Sequence, residues 1–360
     1  MMDHTMKLST LLLSSAAVLV AGAAYAADLP AKKAAPAAVT GCAAFGAGFI
    51  AIPGGDNCIK LSGRVTADQT FADPKGDRTK SLDTFGAGWR LNTDIKSNTE
   101  AGVVRAYGRV SGSGGSGVNV NYAYSQIGGF TAGYTDSAFI SLNNPWGWQI
   151  STDDGTVTNA LQYTASLGGA TSLTVAVEDG STRTSADLGA SQVPDIVGNI
   201  KTTVGANTFQ VSAASHQNHG HESGDVQGYA FQVADTLVAS KDTTIYLQAA
   251  YANAALSYLG YGSQVDAVAA DVSSTAKGWS VFGAVNQVVG AGSVSVNGVY
   301  GVQSPISGGK DVKQSQVEVN YDYTGIKGVQ IIPSLYYTST DDGDSATNST
   351  IGFLRIERDF

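Results

Sequence analysis

The chain has 360 residues, of which 43% are hydrophobic and 14% are charged, and its net charge at pH 7 is -9. No basic patch stands out, so the composition argues against nucleic acid as a partner. The mean hydropathy of -0.01 is too polar for a bundle of membrane helices. Apart from the N-terminus, no run approaches the roughly 20 apolar residues of a spanning helix. The 44 glycines and 16 tyrosines favour an all-β chain with many turns.

The first 26 residues have the features of an export signal. Lys7 provides a positive charge, residues 8–22 are mainly leucine, alanine and valine, and residues 24–26 (AYA) have the small-x-small form of a cleavage site. An uncleaved anchor helix is the alternative, but the apolar run is short and no charged stop follows it. We therefore expect a cleaved signal peptide over residues 1–26 and an irregular periplasmic lead-in over residues 27–58.

Cys42 and Cys58 are the two cysteines of the chain. Export would place them in or beyond an oxidising compartment, where disulfides form and persist. A metal site or a reactive thiol is the alternative, although no histidine or second cysteine pair lies nearby. We expect a disulfide that closes a short loop before the first strand and stabilises the fold by about 3 kcal/mol in the loop-entropy description.

From Ile59 to the last residue, segments alternate between apolar and polar side chains. In residues 59–71, for example, Leu61 and Val65 alternate with charged residues such as Arg64. Successive side chains of a strand point to opposite faces, so each segment has one apolar and one charged face. Lipid outside and water inside explain that pattern. Residues 59–360 are therefore predicted to form a transmembrane antiparallel up-and-down β-barrel of about 16 strands.

The connections between these segments are short and long in turn. Bacterial outer-membrane barrels have this arrangement, with short turns in the periplasm and long loops outside. The sequence thus predicts a location in the bacterial outer membrane, in contact with its lipid and lipopolysaccharide. Many tyrosines near predicted strand ends suit the lipid headgroup level. They are Tyr122, Tyr124, Tyr134, Tyr163, Tyr229, Tyr300, Tyr323 and Tyr337.

Four arginines share the polar face of the first three predicted strands. If the first hairpin closes near residue 71, residues whose numbers sum to 154 face each other, and Arg64 lies opposite Arg90. Arg105 and Arg109 are expected alongside Arg90 on the next strand. The alternative is a set of independent surface arginines, but the shared parity favours a cluster. Four permanently charged guanidinium groups would then line one side of the lumen.

The third long connection, residues 136–156, is too apolar for a loop that lies in water, with two tryptophans and one phenylalanine. We expect it to fold inward against the barrel wall, which would bring Asp136, Asp153 and Asp154 toward the lumen. An exposed loop that contacts lipid or a partner is the alternative. Carboxylates that face the arginines would create a transverse field at the narrowest point of a channel.

A group of potential metal ligands, His216, His219, His221, Glu222 and Asp225, falls in a predicted long connection of residues 216–226. Histidines on an irregular loop do not specify a coordination geometry, so we expect no metal site and no cofactor. The sequence contains no nucleophile elbow, phosphate loop or HExxH motif. We therefore expect no enzymatic activity.

Several stretches resemble the alphaproteobacterial branch of the general bacterial porins. They are residues 42–50 (CAAFGAGFI), 53–54 (PG), 58–65 (CIKLSGRV) and 128–137 (GGFTAGYTDS), together with the aromatic C-terminus. The resemblance implies a 16-stranded barrel, a homotrimer, and passive diffusion of small hydrophilic solutes and ions through a water-filled lumen that the third loop constricts. It puts Asp136, Asp153 and Asp154 on the acidic side of that constriction and the four arginines on the basic side. The alternative function is a structural or adhesive barrel with a plugged lumen.

Overall fold

The computed structural model describes residues 42–73, 83–141, 156–183, 192–220, 224–260, 275–305 and 309–360. The predicted signal peptide and the first part of the lead-in lie outside these residues. So do Asp153, Asp154, His221 and Glu222. No helix in the part of the chain that the structure describes is long and apolar enough to cross a membrane.

Strands make up most of the described chain. They are β1 (Ile50–Ala51), β2 (Cys58–Asp73), β3 (Asp83–Thr99), β4 (Gly102–Ser113), β5 (Val118–Ile127), β6 (Phe130–Asp136), β7 (Val157–Gly168), β8 (Thr171–Glu178), β9 (Asp195–Val204), β10 (Asn207–Gly220), β11 (Gly224–Val238), β12 (Thr243–Asn253), β13 (Lys277–Val289), β14 (Gly292–Ser304), β15 (Val312–Ile326), β16 (Val329–Asp341) and β17 (Ala346–Asp359). The described ranges also contain three short 3-10 helices, Cys42–Phe45, Gly180–Thr182 and Leu256–Tyr258.

Sixteen of these strands close into a barrel. Each strand from β2 to β17 pairs antiparallel with its neighbours in the sequence, and β17 pairs back onto β2. The predicted fold and strand number are confirmed. Phe71 pairs with Asp83 and Arg64 pairs with Arg90, as the first hairpin predicted. The two-residue strand β1 adds to the end of β2.

The outer wall of the barrel is apolar. Leu61 and Val65 of β2 are 56% and 52% exposed, and Phe85 of β3 is 78% exposed. Large exposed apolar side chains recur at alternate positions of strands around the barrel. A water-soluble protein would bury this surface, whereas an outer-membrane barrel presents it to lipid.

The expected tyrosine girdle is correct in part. Tyr163, Tyr229 and Tyr337 are exposed on the outer wall. Tyr122 and Tyr124, in contrast, face the lumen, where arginine side chains lie over their rings. Their assignment to the girdle was wrong because proximity to a strand end does not fix the face to which a side chain points.

Part of the barrel interior is packed rather than open. Small apolar side chains occupy inward positions of β8 to β12, and two inward-folded segments, residues 137–141 and 254–259, cover them. The buried cluster contains Ala138, Phe139, Ala176, Val197, Ala214, Ala230, Ala250, Ala252, Ala255, Leu256, Tyr258, Leu259 and Ala276. The described start of the third long connection therefore folds inward, as expected. The second inward segment was not predicted.

Candidate functional site: the charged wall of the lumen

Three of the four predicted arginines lie together on the lumen wall. Arg64 of β2 is directly opposite Arg90 of β3, and Arg109 of β4 is opposite Asn92, one inward position away from Arg90. Side chains in that diagonal relation are about 7–8 Å apart. Like charges in directly opposed positions destabilise a sheet, so fold stability does not explain why Arg64 faces Arg90.

Arg105 does not lie alongside Arg90, and that part of the prediction was wrong. It pairs with Lys96, on β3 but about 20 Å from Arg90 at the usual rise per strand residue. The turn between β3 and β4 closes at Thr99 and Gly102, and this register sets the separation. Arg105 therefore lies near the end of the barrel that carries the short turns.

The charge of Arg64 is offset by carboxylates of the last strand. Its Nη1 lies 2.8 Å from Glu357 Oε2, and its Nε lies 3.4 Å from Asp359 Oδ1. Four residues after Arg64 on β2, Asp68 makes a bidentate contact with Arg355 of β17, with both N–O distances 2.7 Å. These pairs join β17 to β2, the two strands that close the barrel.

The charge of Arg105 is also offset. Its Nε and Nη2 donate to the two carboxylate oxygens of Asp94 at 2.7 and 3.1 Å. Lys96 Nζ lies 3.8 Å from the same carboxylate. Asp94 is thus shared by two cations, and the Arg105 guanidinium also lies over the Tyr107 ring, 4.9 Å from its centroid.

In the described ranges, Arg90 and Arg109 have no carboxylate partner of this kind. Arg109 donates to Asn92 Oδ1 at 2.9 Å and to the Tyr107 hydroxyl at 3.0 Å, and both acceptors are neutral. Within the part of the chain that the structure describes, Arg90 makes no side-chain hydrogen bond or ion pair, and its Nε is buried without an acceptor. Among the described residues, these two guanidinium groups therefore carry the positive charge of this wall that no direct carboxylate contact offsets.

Asp136 stands where the third connection leaves β6. The Tyr122 hydroxyl donates to its Oδ1 at 2.6 Å, and the Arg109 guanidinium lies 4.5 Å from the centroid of the same tyrosine ring. The Asp136 carbonyl accepts from Gln162 Nε2 at 2.7 Å. Tyr122 thereby links the first acidic residue of the loop to the basic wall.

Polar side chains of the opposite wall hold the start of the third connection in the lumen. They bind successive backbone and side-chain groups of residues 138–141. Glu178 Oε1 accepts from the Ala138 backbone N–H at 2.7 Å. Asn199 Nδ2 donates to Ala138 O at 2.7 Å, Gln210 Nε2 donates to Ile140 O at 2.8 Å, and Gln248 Nε2 donates to Ser141 Oγ at 2.7 Å. The loop base is therefore fixed by four strands.

His216 is not a loop residue. The predicted long connection of residues 216–226 was wrong, because β10 and β11 extend until only three residues separate them. His216 is 0% exposed and its Nδ1 lies 2.9 Å from Asp195 Oδ1, while the Tyr258 hydroxyl donates to Asp195 Oδ2 at 2.7 Å. No group of three or more metal-ligating side chains occurs in the described ranges.

Burial, together with the neighbouring Asp195 carboxylate, raises the pKa of Tyr258 well above its ordinary value. Tyr258 belongs to the connection after β12, and its hydroxyl therefore stays a hydrogen-bond donor across the physiological pH range. Sequence reasoning missed this group. The available signal was the apolar character of residues 254–259.

The predicted disulfide is confirmed. Cys42 and Cys58 are joined, with their Cα atoms 5.5 Å apart. Cys58 is buried on the lumen side of β2, and the Phe49 ring lies 4.8 Å from Lys96 Nζ. The closed loop therefore packs against inward side chains at the mouth with the short turns.

The family model for the porin subfamily matches residues 28–354. Porin Omp2b of Brucella melitensis biotype 1 is 25% identical to the chain, and the match covers 99% of this chain and 100% of the relative. Porin Omp2b of Brucella suis biovar 1 has the same identity and coverage.

Solved structures share the fold. The outer membrane channel DcaP of Acinetobacter baumannii has a TM-score of 0.70 at 18% identity, over 84% of this chain and 97% of that one. The anion-selective porin from Comamonas acidovorans has a TM-score of 0.61 at 13% identity, over 84% and 100%. OmpT of Vibrio cholerae, solved in a trimer form, has a TM-score of 0.61 at 11% identity, over 85% and 100%. The chain belongs to the porin family, and it is a passive diffusion channel of the bacterial outer membrane, not an enzyme.

Proposed function

We propose that the channel passes small hydrophilic solutes and ions through a charged constriction, with a weak preference for anions. The basic side of the lumen consists of Arg64, Arg90, Arg105 and Arg109, and the acidic side of Asp136, Asp153 and Asp154. Of these, Arg105 lines the lumen below the constriction, toward the short turns. The observation that carries the proposal is the unequal pairing of the four arginines.

Charge pairing decides which arginines act on a passing ion. A guanidinium in contact with a carboxylate forms a compact dipole, whose field falls off faster than that of a single charge. Screening at physiological salt limits either field to about 8 Å. Arg64 and Arg105 form such pairs, whereas no carboxylate of the described residues pairs with Arg90 or Arg109. Anions that pass the constriction therefore meet the two unpaired guanidinium groups.

Planar-bilayer recording tests this function. Wild-type protein should open steady channels, and a salt gradient should give a reversal potential on the anion side. Asp94→Asn should increase the anion preference, because it removes the carboxylate charge that Arg105 and Lys96 share. A bilayer that stays closed would favour the alternative of a plugged barrel. Open channels with cation preference would contradict the proposed role of the arginines in selectivity but would leave the channel function intact.

We also propose that the channel is a homotrimer that associates through the outer wall of β3 to β6. This face has a shallow depression of about 300 Å³. Most of the outward residues that line it are small, namely Thr93, Ala106, Gly108, Ala123, Ser125 and Ala132, and Ile95 is the larger outward side chain among them. Small side chains allow close approach of two walls within a bilayer. Strands such as β8 and β10 carry large apolar side chains at the same outward positions, which suits lipid better.

A bulky residue in the depression tests the trimer. Ala106→Trp should yield monomers in mild detergent, measured by light scattering after size-exclusion chromatography. Ala249→Trp, on the outward face of β12, is the matched control and should leave the trimer intact. Monomeric wild-type protein, or a trimer that tolerates Ala106→Trp, would contradict this interface.

A further inference from the structure

The connection after β12 begins with a segment that is buried inside the barrel. We call residues 254–259 the inner segment. Ala255, Tyr258 and Leu259 are each 0% exposed, and Leu256 is 2% exposed. Connections between strands normally run over the surface, where their polar backbone groups meet water. The inner segment instead folds into the barrel and packs against inward alanines of its wall.

The barrel wall is shaped to receive the inner segment. A Cβ atom on Gly228 would lie 1.9 Å from the Ala254 carbonyl oxygen, so only glycine fits at this inward position of β11. Ala254 has φ +48°, a conformation that L residues rarely adopt, and it turns the chain inward. Asn218 Nδ2 donates to Ala254 O at 2.5 Å, and Ala254 N donates to Ala276 O at 2.8 Å.

Tyr258 fixes the far end of the inner segment. Its hydroxyl donates to Asp195 of β9, and His216 Nδ1 of β10 contacts both oxygens of the same carboxylate. The Arg183 guanidinium lies 3.7 Å from the Tyr258 ring centroid and donates to Ser257 O at 3.1 Å. Side chains from three places along the chain therefore converge on one tyrosine.

The start of the third connection packs against Tyr258. The Phe139 ring meets the Tyr258 ring edge-on, with centroids 4.9 Å apart, and Phe139 is 0% exposed. The residues on either side of Phe139 are bound by wall side chains, Glu178 and Gln210. The base of the third loop is thus clamped between the barrel wall and the inner segment.

We propose that the inner segment is a second pore-narrowing element and that Tyr258 is a positioning residue for the third loop. This inference rests on the proposed role of that loop in the constriction. Tyr258 is buried and does not itself contact a passing solute. It sets the pore size by fixing Phe139, and the Asp195–His216 pair fixes Tyr258 in turn.

Two substitutions test the proposal by different routes. Tyr258→Phe keeps the ring and removes the bond to Asp195, and Gly228→Ala pushes the inner segment off the wall. Both should raise the time spent in altered conductance levels. For Tyr258→Phe we expect a rise of about tenfold, since a lost hydrogen bond to a charged acceptor shifts such an equilibrium by at least that factor. For Gly228→Ala the cause is steric, because the new Cβ would lie 1.9 Å from the Ala254 carbonyl oxygen. The size limit for neutral polymers that enter the pore should also rise.

Gly86→Ala is the matched control, because its new Cβ faces the lumen with its nearest neighbour 4.0 Å away. It should behave as wild type. Heat-induced unfolding, measured by gel mobility, should change little in Tyr258→Phe, which separates a positioning role from a general loss of stability. The inference is overturned if Tyr258→Phe and Gly228→Ala conduct as wild type does, or if Tyr258→Phe changes conductance only in proportion to lost barrel stability. A closed wild-type channel would instead refute the proposed function.

Discussion

The contact between Asp68 and Arg355 predicts how firmly the barrel is closed. It joins β2 to β17, with two N–O distances of 2.7 Å and side-chain exposures of 23% and 12%. Exposed pairs contribute about 0–1 kcal/mol, whereas breaking a fully buried pair costs about 3–5 kcal/mol. The half-buried, bidentate contact lies between these limits. We expect Asp68→Asn to lower the free energy of unfolding by about 2 kcal/mol.

The assay is urea unfolding of the refolded protein in lipid or detergent, followed by tryptophan fluorescence. Asp344→Asn is the matched control, since it breaks a pair with Lys310 whose side chains are 79% and 58% exposed, and it should cost less than about 1 kcal/mol. A double-mutant cycle with Arg355→Gln should give a coupling energy of about 1 kcal/mol or more. A coupling near zero, or equal losses in Asp68→Asn and Asp344→Asn, would refute the reasoning.

Two further variants test local features. Replacing both Cys42 and Cys58 by serine should lower the free energy of unfolding by about 3 kcal/mol in the loop-entropy description. Dithiothreitol should destabilise the wild-type protein but have no effect on this variant. Equal stability of the wild-type protein and the variant would contradict this prediction. Gly63→Ala should reduce the yield of folded barrel on gels, because its Cβ would lie 2.2 Å from the Arg90 carbonyl oxygen and 2.6 Å from the Phe360 ring. Gly86→Ala is the control, and equal yields would count against the close approach.

The strands and the first hairpin could be predicted from the sequence because the alternation of apolar and polar side chains along a strand is a local property. Leu61 and Val65 alternate with polar residues whatever the rest of the chain does, and closure at Phe71 opposite Asp83 fixed the pairing of Arg64 with Arg90. The disulfide was predictable for a similar reason, since two cysteines allow only one pairing.

The next hairpin shows where such reasoning fails. Thr99 pairs with Gly102, and the numbers of paired residues sum to 201, which puts Arg105 opposite Lys96. A shift of a few residues in the turn moves every partner, and the sequence alone did not fix that turn. A further irregularity in the register after Arg109 left no signature that sequence reasoning detected.

The inner segment depends on contacts that no local pattern determines. Tyr258, His216 and Asp195 are far apart in the sequence and meet only because the barrel brings β9, β10 and the connection after β12 together. A signal was nevertheless present: Ala214 and Ala230 occupy inward positions where a water-filled lumen would favour polar residues. Inward alanines on neighbouring strands indicate that another part of the chain covers them.

The reversal potential of the double variant Arg90→Gln/Arg109→Gln in a potassium chloride gradient tests whether these two guanidinium groups set the ion selectivity. Its control is Asp94→Asn/Arg105→Gln, which also removes an arginine but removes its carboxylate partner with it. We predict that the first variant loses the anion preference of wild type and that the control retains it. An unchanged reversal potential in the first variant, or an equal shift in both, would contradict the claim that unpaired guanidinium groups set the selectivity.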